Sequence, residues 1–394
     1  MSTGIIVFIR NLIIAASGFV LISKGIKHLP EADAAFLLMI MLVVNAQNTL
    51  YEGLFLTHTM SFKDDVAQFI YSKQHWLQYI IPVFSLLFVY FYSTYVLSNT
   101  ISIKSCTLLY LCFLANVLSI GTVNIFCASA KHAIYFVVDI ILTIITIFVI
   151  FYFVNNFILI LSLIFRVIGS AIASVICHIK YKKHFDLINV DENKKSYPMY
   201  SLGYFSGTLL SLCRDSISPL IIGWLIGPSA LIAIRIFNTC YSAPGLVAGA
   251  MNKIVIRYAQ KKKFIGNIFE YYIVALYLMS LIYLAIWYIG GESLYECLFG
   301  SRKYFPNDSF IYALTLFCVF WPLGQTAIAK MIFLGASRLF FQVSLVWTII
   351  SVGCIVVLYN YNLVIYIYIL SLSQVINIMI LYKVFKHEKT VKNI

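Results

Sequence analysis

Residues 200–250, YSLGYFSGTLLSLCRDSISPLIIGWLIGPSALIAIRIFNTCYSAPGLVAGA, hold three charged side chains, Arg214, Asp215 and Arg235, inside two long apolar runs. A Gly227-Pro228 turn separates the runs. Each run exceeds the roughly 20 residues that an α-helix needs to cross a hydrocarbon core of about 30 Å. The rest of the chain reads the same way. Of 394 residues, 62% are hydrophobic and 11% charged, and the mean hydropathy is +0.92. Soluble domains sit near half apolar and a quarter charged. That departure excludes a soluble enzyme or a nucleic-acid binder, because a water-soluble fold of this size has nowhere to bury so much apolar surface.

Scanning outward for runs of similar length gives twelve spans: 5–23, 34–57, 78–97, 105–127, 134–154, 157–179, 200–225, 230–252, 267–289, 309–329, 340–359 and 363–382. The shortest breaks are Asn155-Asn156 and Asn360-Tyr361-Asn362, where asparagine suits a tight turn. Short cytoplasmic loops collect Lys and Arg, so charge tests the count. With the N-terminus inside, the cytoplasmic side carries 19 basic residues and the opposite side 5, and the bias never inverts along the chain. Both termini are therefore expected in the cytoplasm. The longest polar loop lies between the sixth and seventh spans. The expected architecture is an all-α polytopic membrane protein of twelve transmembrane helices in two six-helix bundles, residues 1–179 and 200–394, with a cytoplasmic linker at 180–199. Proline-marked turns after the first span of each half, at His28–Ala32 and Ile226–Ala230, hint at an internal duplication. No cleavable signal is evident, since Arg10 interrupts the first apolar run.

The formal net charge of +13 is mostly this loop bias. The informative charges lie within the spans, where each is expensive. Glu52, Asp139 and Glu270 sit near span ends and can snorkel. Arg166 in the sixth span and Arg214-Asp215 in the seventh lie deeper, so they are expected to face protein or a wet cavity. Arg10 lies toward the inner end of the first span and Arg235 toward the outer end of the eighth. Arginine keeps its charge at any physiological pH and offers a planar fork matched to phosphate or carboxylate oxygens. Adjacent helical residues point about 100° apart, so Arg214 and Asp215 need not pair with each other. Asn45, Asn48 and Glu52 recur at helical spacing on one face of the second span, a face that cannot look at lipid. Prolines 82, 219, 244 and 322 lie inside spans, and Gly203/Gly207 and Gly245/Gly249 pair at four-residue spacing, as suits a bundle that bends. Eight of nine cysteines, all but Cys297, fall in apolar runs and read as packing residues rather than disulfides or metal ligands. No P-loop, HExxH or GxSxG occurs, and no loop is large enough for a catalytic domain, so no catalytic residue, metal or cofactor is expected.

Four stretches carry a family resemblance. Arg214-Asp215 followed by Ile221-Ile222-Gly223-Trp224-Leu225-Ile226-Gly227-Pro228-Ser229-Ala230 resembles the seventh-to-eighth hairpin of the bacterial O-antigen and polysaccharide flippases. Lys27-His28-Leu29-Pro30-Glu31-Ala32-Asp33 looks like their first outer turn. Leu298-Phe299-Gly300 with Phe305, and Leu334-Gly335-Ala336-Ser337-Arg338, look like their loop before the tenth span and their next cytoplasmic turn. The resemblance implies a member of the multidrug, oligosaccharidyl-lipid and polysaccharide exporter superfamily, with a central cavity opening alternately to each side. It implies translocation of an undecaprenyl-pyrophosphate-linked oligosaccharide, an O-antigen repeat unit of lipopolysaccharide biosynthesis, from the cytoplasmic to the periplasmic leaflet of a bacterial inner membrane. Its implied partners are that lipid-linked substrate, membrane lipids, and polysaccharide polymerase and chain-length proteins; nucleic acid is not among them. On this view Arg166, Arg214 and Arg235 offer footholds for pyrophosphate or acidic sugars, with Asp215 beside them. Asn45 and Asn48 wet the glycan path, and Arg10 serves its entrance. Arg235 departs from the family pattern, which has an uncharged or aromatic residue there. The alternatives are an ion-coupled multidrug antiporter of the same superfamily, a membrane polymerase or ligase of lipid-linked sugars, and a peptidoglycan-precursor flippase.

Overall fold

Helices account for nearly all of the computed structural model, which describes residues 2–51, 77–98, 101–129, 135–152, 202–261, 266–300, 307–358 and 363–392, together with Ile168 and Ile172. Among these no strand occurs. Eleven of the twelve predicted spans have helices at their positions: α1 (Ser2–His28), α2 (Glu31–Tyr51), α3 (Leu77–Tyr95), α4 (Ile103–Ser129), α5 (Tyr135–Tyr152), α6 (Leu202–Leu212) continuing into α7 (Ser218–Ile226), α8 (Pro228–Lys261), α9 (Gly266–Phe299), α10 (Asn307–Phe333), α11 (Ser337–Leu358), and α12 (Leu363–Ser373) followed by α13 (Ile376–Lys392). Apart from Ile168 and Ile172, the sixth span with its Arg166 lies outside the described residues, as do the expected linker 180–199, Glu52, and the Asn155-Asn156 and Asn360–Asn362 turns. Six helical stretches among the described residues are long and apolar enough to cross a membrane, so this is a multi-pass membrane protein.

By packing, the described helices form two compact units, Met1–Leu212 and Cys213–Ile394. In the first, α2 is the core: Ala34 to Val44 are buried without interruption, and α2 packs against α1, α3, α4 and α6. The α1–α2 turn needs only Leu29 and Pro30 outside the helices. Lys27 and His28 close α1 and Glu31 and Asp33 open α2, each charge opposing the partial charge of the helix end beside it.

In the second unit α10 is the hub, touching α8, α9, α11, α12 and α13. Helix α9 is peripheral. Its Tyr271, Val274, Leu278, Leu281, Ile282 and Ile286 are exposed at helical spacing, an apolar stripe of the kind that only lipid solvates. One expectation is corrected here. The segment from Gly290 to Phe299 is not loop but a continuation of α9 past a break at Gly291, whose φ of 44° suits a residue without Cβ. Tyr295 and Phe299 are buried one turn apart, while Glu292 and Glu296 are exposed, so this segment is an amphipathic helix.

Candidate functional site

In the first unit the polar groups of α2 join neighbouring helices. Gln47 Nε2 donates to Ser85 Oγ at 2.7 Å, and Asn116 Nδ2 donates to Gln47 Oε1 at 2.9 Å and to Asn48 Oδ1 at 3.1 Å. The Ser85 hydroxyl donates back to the Ile81 carbonyl at 2.9 Å. Helices α2, α3 and α4 are thus tied by side-chain amides, each bond contributing about 0.5–1.5 kcal/mol net. Asn48 belongs to this network, whereas Asn45 is exposed and its carbonyl accepts from the Thr49 hydroxyl. Gln47, Ser85 and Asn116 carry this network; Gln47 belongs to the polar cluster of the second span but off its Asn45–Asn48–Glu52 face, and Ser85 and Asn116 are not among the candidates that the sequence alone singles out. The signal is nonetheless present: each is a polar residue inside an otherwise apolar run. Arg10 is buried on α1.

In the second unit the site begins with a proline. Pro219 has no N–H to offer the Asp215 carbonyl, so the helix widens into a π-turn over Cys213–Ile217, and the Ser218 hydroxyl donates to the Cys213 carbonyl at 3.0 Å. Arg214 and Asp215 lie in that turn. Helical geometry leaves their pairing open, and they do pair: Arg214 Nε donates to Asp215 Oδ1 at 2.6 Å and Nη2 to Oδ2 at 2.8 Å. The pair is half open, with side chains 30% and 55% exposed, so it is neither dry nor screened as a free surface pair would be. Arg214 is therefore largely neutralised by its neighbour.

A second network lies within electrostatic reach of that pair, through Tyr241 on α8. Gln374 Nε2 donates to the Tyr241 hydroxyl at 2.7 Å, and Asn377 Nδ2 donates to Gln374 Oε1 at 2.8 Å and to the Phe320 carbonyl at 3.2 Å. Gln374 reaches inward because the α12–α13 junction tightens into bonds between residues three apart, Gln374 N–H to Ser371 O and Asn377 N–H to Gln374 O. The Asn377 amide fills the space that a side chain at Gly324 would need. Pro244 leaves the Cys240 carbonyl without its helical donor, and the Tyr283 hydroxyl takes that place at 2.7 Å.

Arg235 differs from these groups. It is buried, 9% exposed, one turn before Thr239, whose hydroxyl donates to the Arg235 carbonyl at 2.6 Å. Its Nε has no hydrogen-bond partner among the described residues. A buried guanidinium is costly unless paired, so this one is either a liability or a binding group. Together the described residues of the second unit offer an uncompensated buried cation and a string of amide, hydroxyl and carboxylate groups of the type that hydrogen-bonds sugar hydroxyls. Among the described residues no cluster of potential metal ligands occurs, and Cys106, Cys112, Cys213, Cys240, Cys297, Cys318 and Cys354 are free.

No protein-family model matches the chain, and no curated protein matches it in sequence. Solved structures do. The inward-facing conformation of a multidrug resistance MATE family transporter of the MOP superfamily is 14% identical, with 96% of each chain covered and a TM-score of 0.61. The outward-facing conformation of such a transporter gives 14% identity, 98% of this chain and 96% of that one, and a TM-score of 0.62. A mutant of the Vibrio cholerae MATE transporter VcmN gives 12% identity, 100% and 98% coverage, and a TM-score of 0.63. The chain thus has an all-α membrane fold shared with MATE transporters over essentially its whole length.

Proposed function

We propose that this chain is an alternating-access membrane transporter, with no chemistry of its own, that moves an amphipathic anion past Arg235. The observation that carries the anion is the buried guanidinium on α8, whose Nε has no partner among the described residues. A fixed cation in low dielectric lowers the barrier for a phosphate or carboxylate and raises it for another cation. The fold supports the transport step, because the structures it resembles include both an inward-facing and an outward-facing transporter. The cargo that combines an anionic group, sugar hydroxyls for the Tyr241–Gln374–Asn377 network, and a tail left in lipid is an undecaprenyl-pyrophosphate-linked oligosaccharide. The loop resemblances at Arg214–Ala230 and Leu334–Arg338 support the same cargo. In this reading the chain lies in a bacterial inner membrane as two six-helix bundles, 1–179 and 200–394, with both termini cytoplasmic. Arg10, Arg166, Arg214, Asp215, Asn45 and Asn48 belong to that path.

A second reading is an ion-coupled multidrug antiporter. The similarity in fold favours it over O-antigen flipping, because the structures found are described as multidrug resistance transporters. The Arg214–Asp215 pair favours it too, since neutralising Arg214 leaves the second unit less cationic than the sequence suggested. Deleting the gene separates the readings. The first expects undecaprenyl-linked repeat units stranded in the cytoplasmic leaflet and unchanged sensitivity to cationic dyes; the second expects normal surface polysaccharide and dye hypersensitivity.

A further inference from the structure

The end of the second unit that the charge count assigns to the cytoplasm is built around a capped turn. Helix α10 stops at Phe333. Gly335, with φ 66°, lets the Ala336 N–H reach the Met331 carbonyl at 3.0 Å and the Gly335 N–H reach Ile332 O at 3.2 Å, and α11 starts at Ser337. Buried Ala327, Met331, Ala336, Trp347, Ile380 and Val384 pack together, which fixes the ends of α10, α11 and α13 against one another. Beside this cluster opens a cavity of about 580 Å³, whose polar lining among the described residues is Ser337, Arg338, Gln342, Lys383 and Lys386, none of them acidic.

Basic side chains from α11 and α13 thus converge on one recess. Arg338 lies in the first turn of the 22-residue α11, which has no acidic residue there, so a cation faces the positive end of the helix. Lys383 and Lys386 face the same cavity. The ammonium of Lys330 stands close behind, 3.4 Å over the ring of Phe385. An anion in the cavity would be attracted by Arg338 and Lys383 and by the positive end of α11. The exposed face of α13 and the turn before it say where the anion comes from: Val375 in the turn, then Ile378, Met379 and Tyr382, form an apolar stripe at helical spacing that runs directly into Lys383 and Lys386. A ligand that covers both must be acyl chain at one end and phosphate at the other.

We propose that this cavity binds the phosphate headgroup of an anionic phospholipid, with an acyl chain lying along Val375, Ile378, Met379 and Tyr382. Basic recesses between transmembrane helix ends are a general form of anionic-lipid recognition, and the cytoplasmic leaflet supplies such lipids. The site stands apart from Arg235 and does not depend on the cargo.

The test uses the purified full chain in mixed micelles, titrated with phosphatidylglycerol, phosphatidylcholine or inorganic phosphate, with binding read by native mass spectrometry and by thermal shift. Phosphatidylglycerol is expected to bind saturably. Each basic side chain near an anionic headgroup is worth roughly fivefold in affinity, so R338Q/K383Q/K386Q should weaken binding by about 100-fold. A control that removes the same charge elsewhere, K27Q/K104Q/K392Q, should leave it within a few-fold. Unchanged phosphatidylglycerol affinity in the first triple variant, or equal loss in the control, overturns the site. Equal binding of phosphatidylcholine removes the requirement for an anion, and inorganic phosphate binding as tightly as the lipid removes the acyl chain. Should the triple variant elute as aggregate, the single K383Q, expected to lose about fivefold, decides the matter in the same way.

Discussion

Replacing Arg235 with methionine should make the protein more stable and less active. On insertion scales, arginine at the middle of a transmembrane helix costs about 2.5–3.5 kcal/mol and an apolar residue contributes about 0.3–0.6 kcal/mol, a difference of roughly 3 kcal/mol. Arg235 lies seven residues beyond Pro228, where α8 begins, which is about 10 Å along the axis and short of the midplane. The expected gain is therefore nearer 1–2 kcal/mol, consistent with the neutral-to-stabilising effect of replacing buried charges by apolar groups of similar volume. Heating the detergent-solubilised full chain, with folding followed by size-exclusion fluorescence, should show Tm raised by about 1–3 °C. Transport of the anionic cargo should fall at least tenfold in the same variant, and Arg235→Lys should recover part of it, because the charge returns without the fork. A clear fall in Tm for Arg235→Met would mean that the guanidinium has a partner that stabilises it. Undiminished transport would mean that it has no part in moving the cargo. Either result refutes the reasoning.

Two further outcomes follow from the geometry. Tyr283→Phe removes the donor that serves the Cys240 carbonyl and should cost about 1 kcal/mol by thermal unfolding; in a Pro244→Ala background, where the alanine supplies a backbone N–H of its own, the cost should shrink toward zero. His28, outside the membrane spans, has its pKa lowered by partial burial first and then by the ammonium groups of Lys24 and Lys27. Because the folded value lies below the unfolded one, its contribution to stability is present above about pH 6.5 and lost as pH falls through the lowered folded value. An NMR titration of the His28 imidazole should report a midpoint below the model-peptide value, moving back up in K24Q/K27Q.

The spans were legible because the bilayer imposes a length and a polarity that a sequence displays openly. What misled was averaging. Glu292 and Glu296 lowered the local hydropathy enough to suggest a loop, yet Tyr295 and Phe299 one turn apart already marked a helix with one wet face. At Arg214-Asp215 the ideal-helix rule left pairing undecided, whereas Pro219, visible four residues after Asp215, accompanies the widened turn in which the two pair. Gln374 and Asn377 stand out as amides in an apolar run, whereas their acceptors, Tyr241 and the Phe320 carbonyl, come from helices far away in sequence. The same holds for Arg235: its charge is written in the sequence, but what its guanidinium meets is a property of the packed unit.

The most direct measurement reconstitutes the protein in liposomes with a fluorescent undecaprenyl-pyrophosphate oligosaccharide in one leaflet and follows the fraction reached by an external quencher. Redistribution that depends on the protein and disappears in Arg235→Met, with no uptake of a cationic dye by the same liposomes, is the predicted result. Wild-type protein that leaves the labelled lipid in place while accumulating the dye would contradict it.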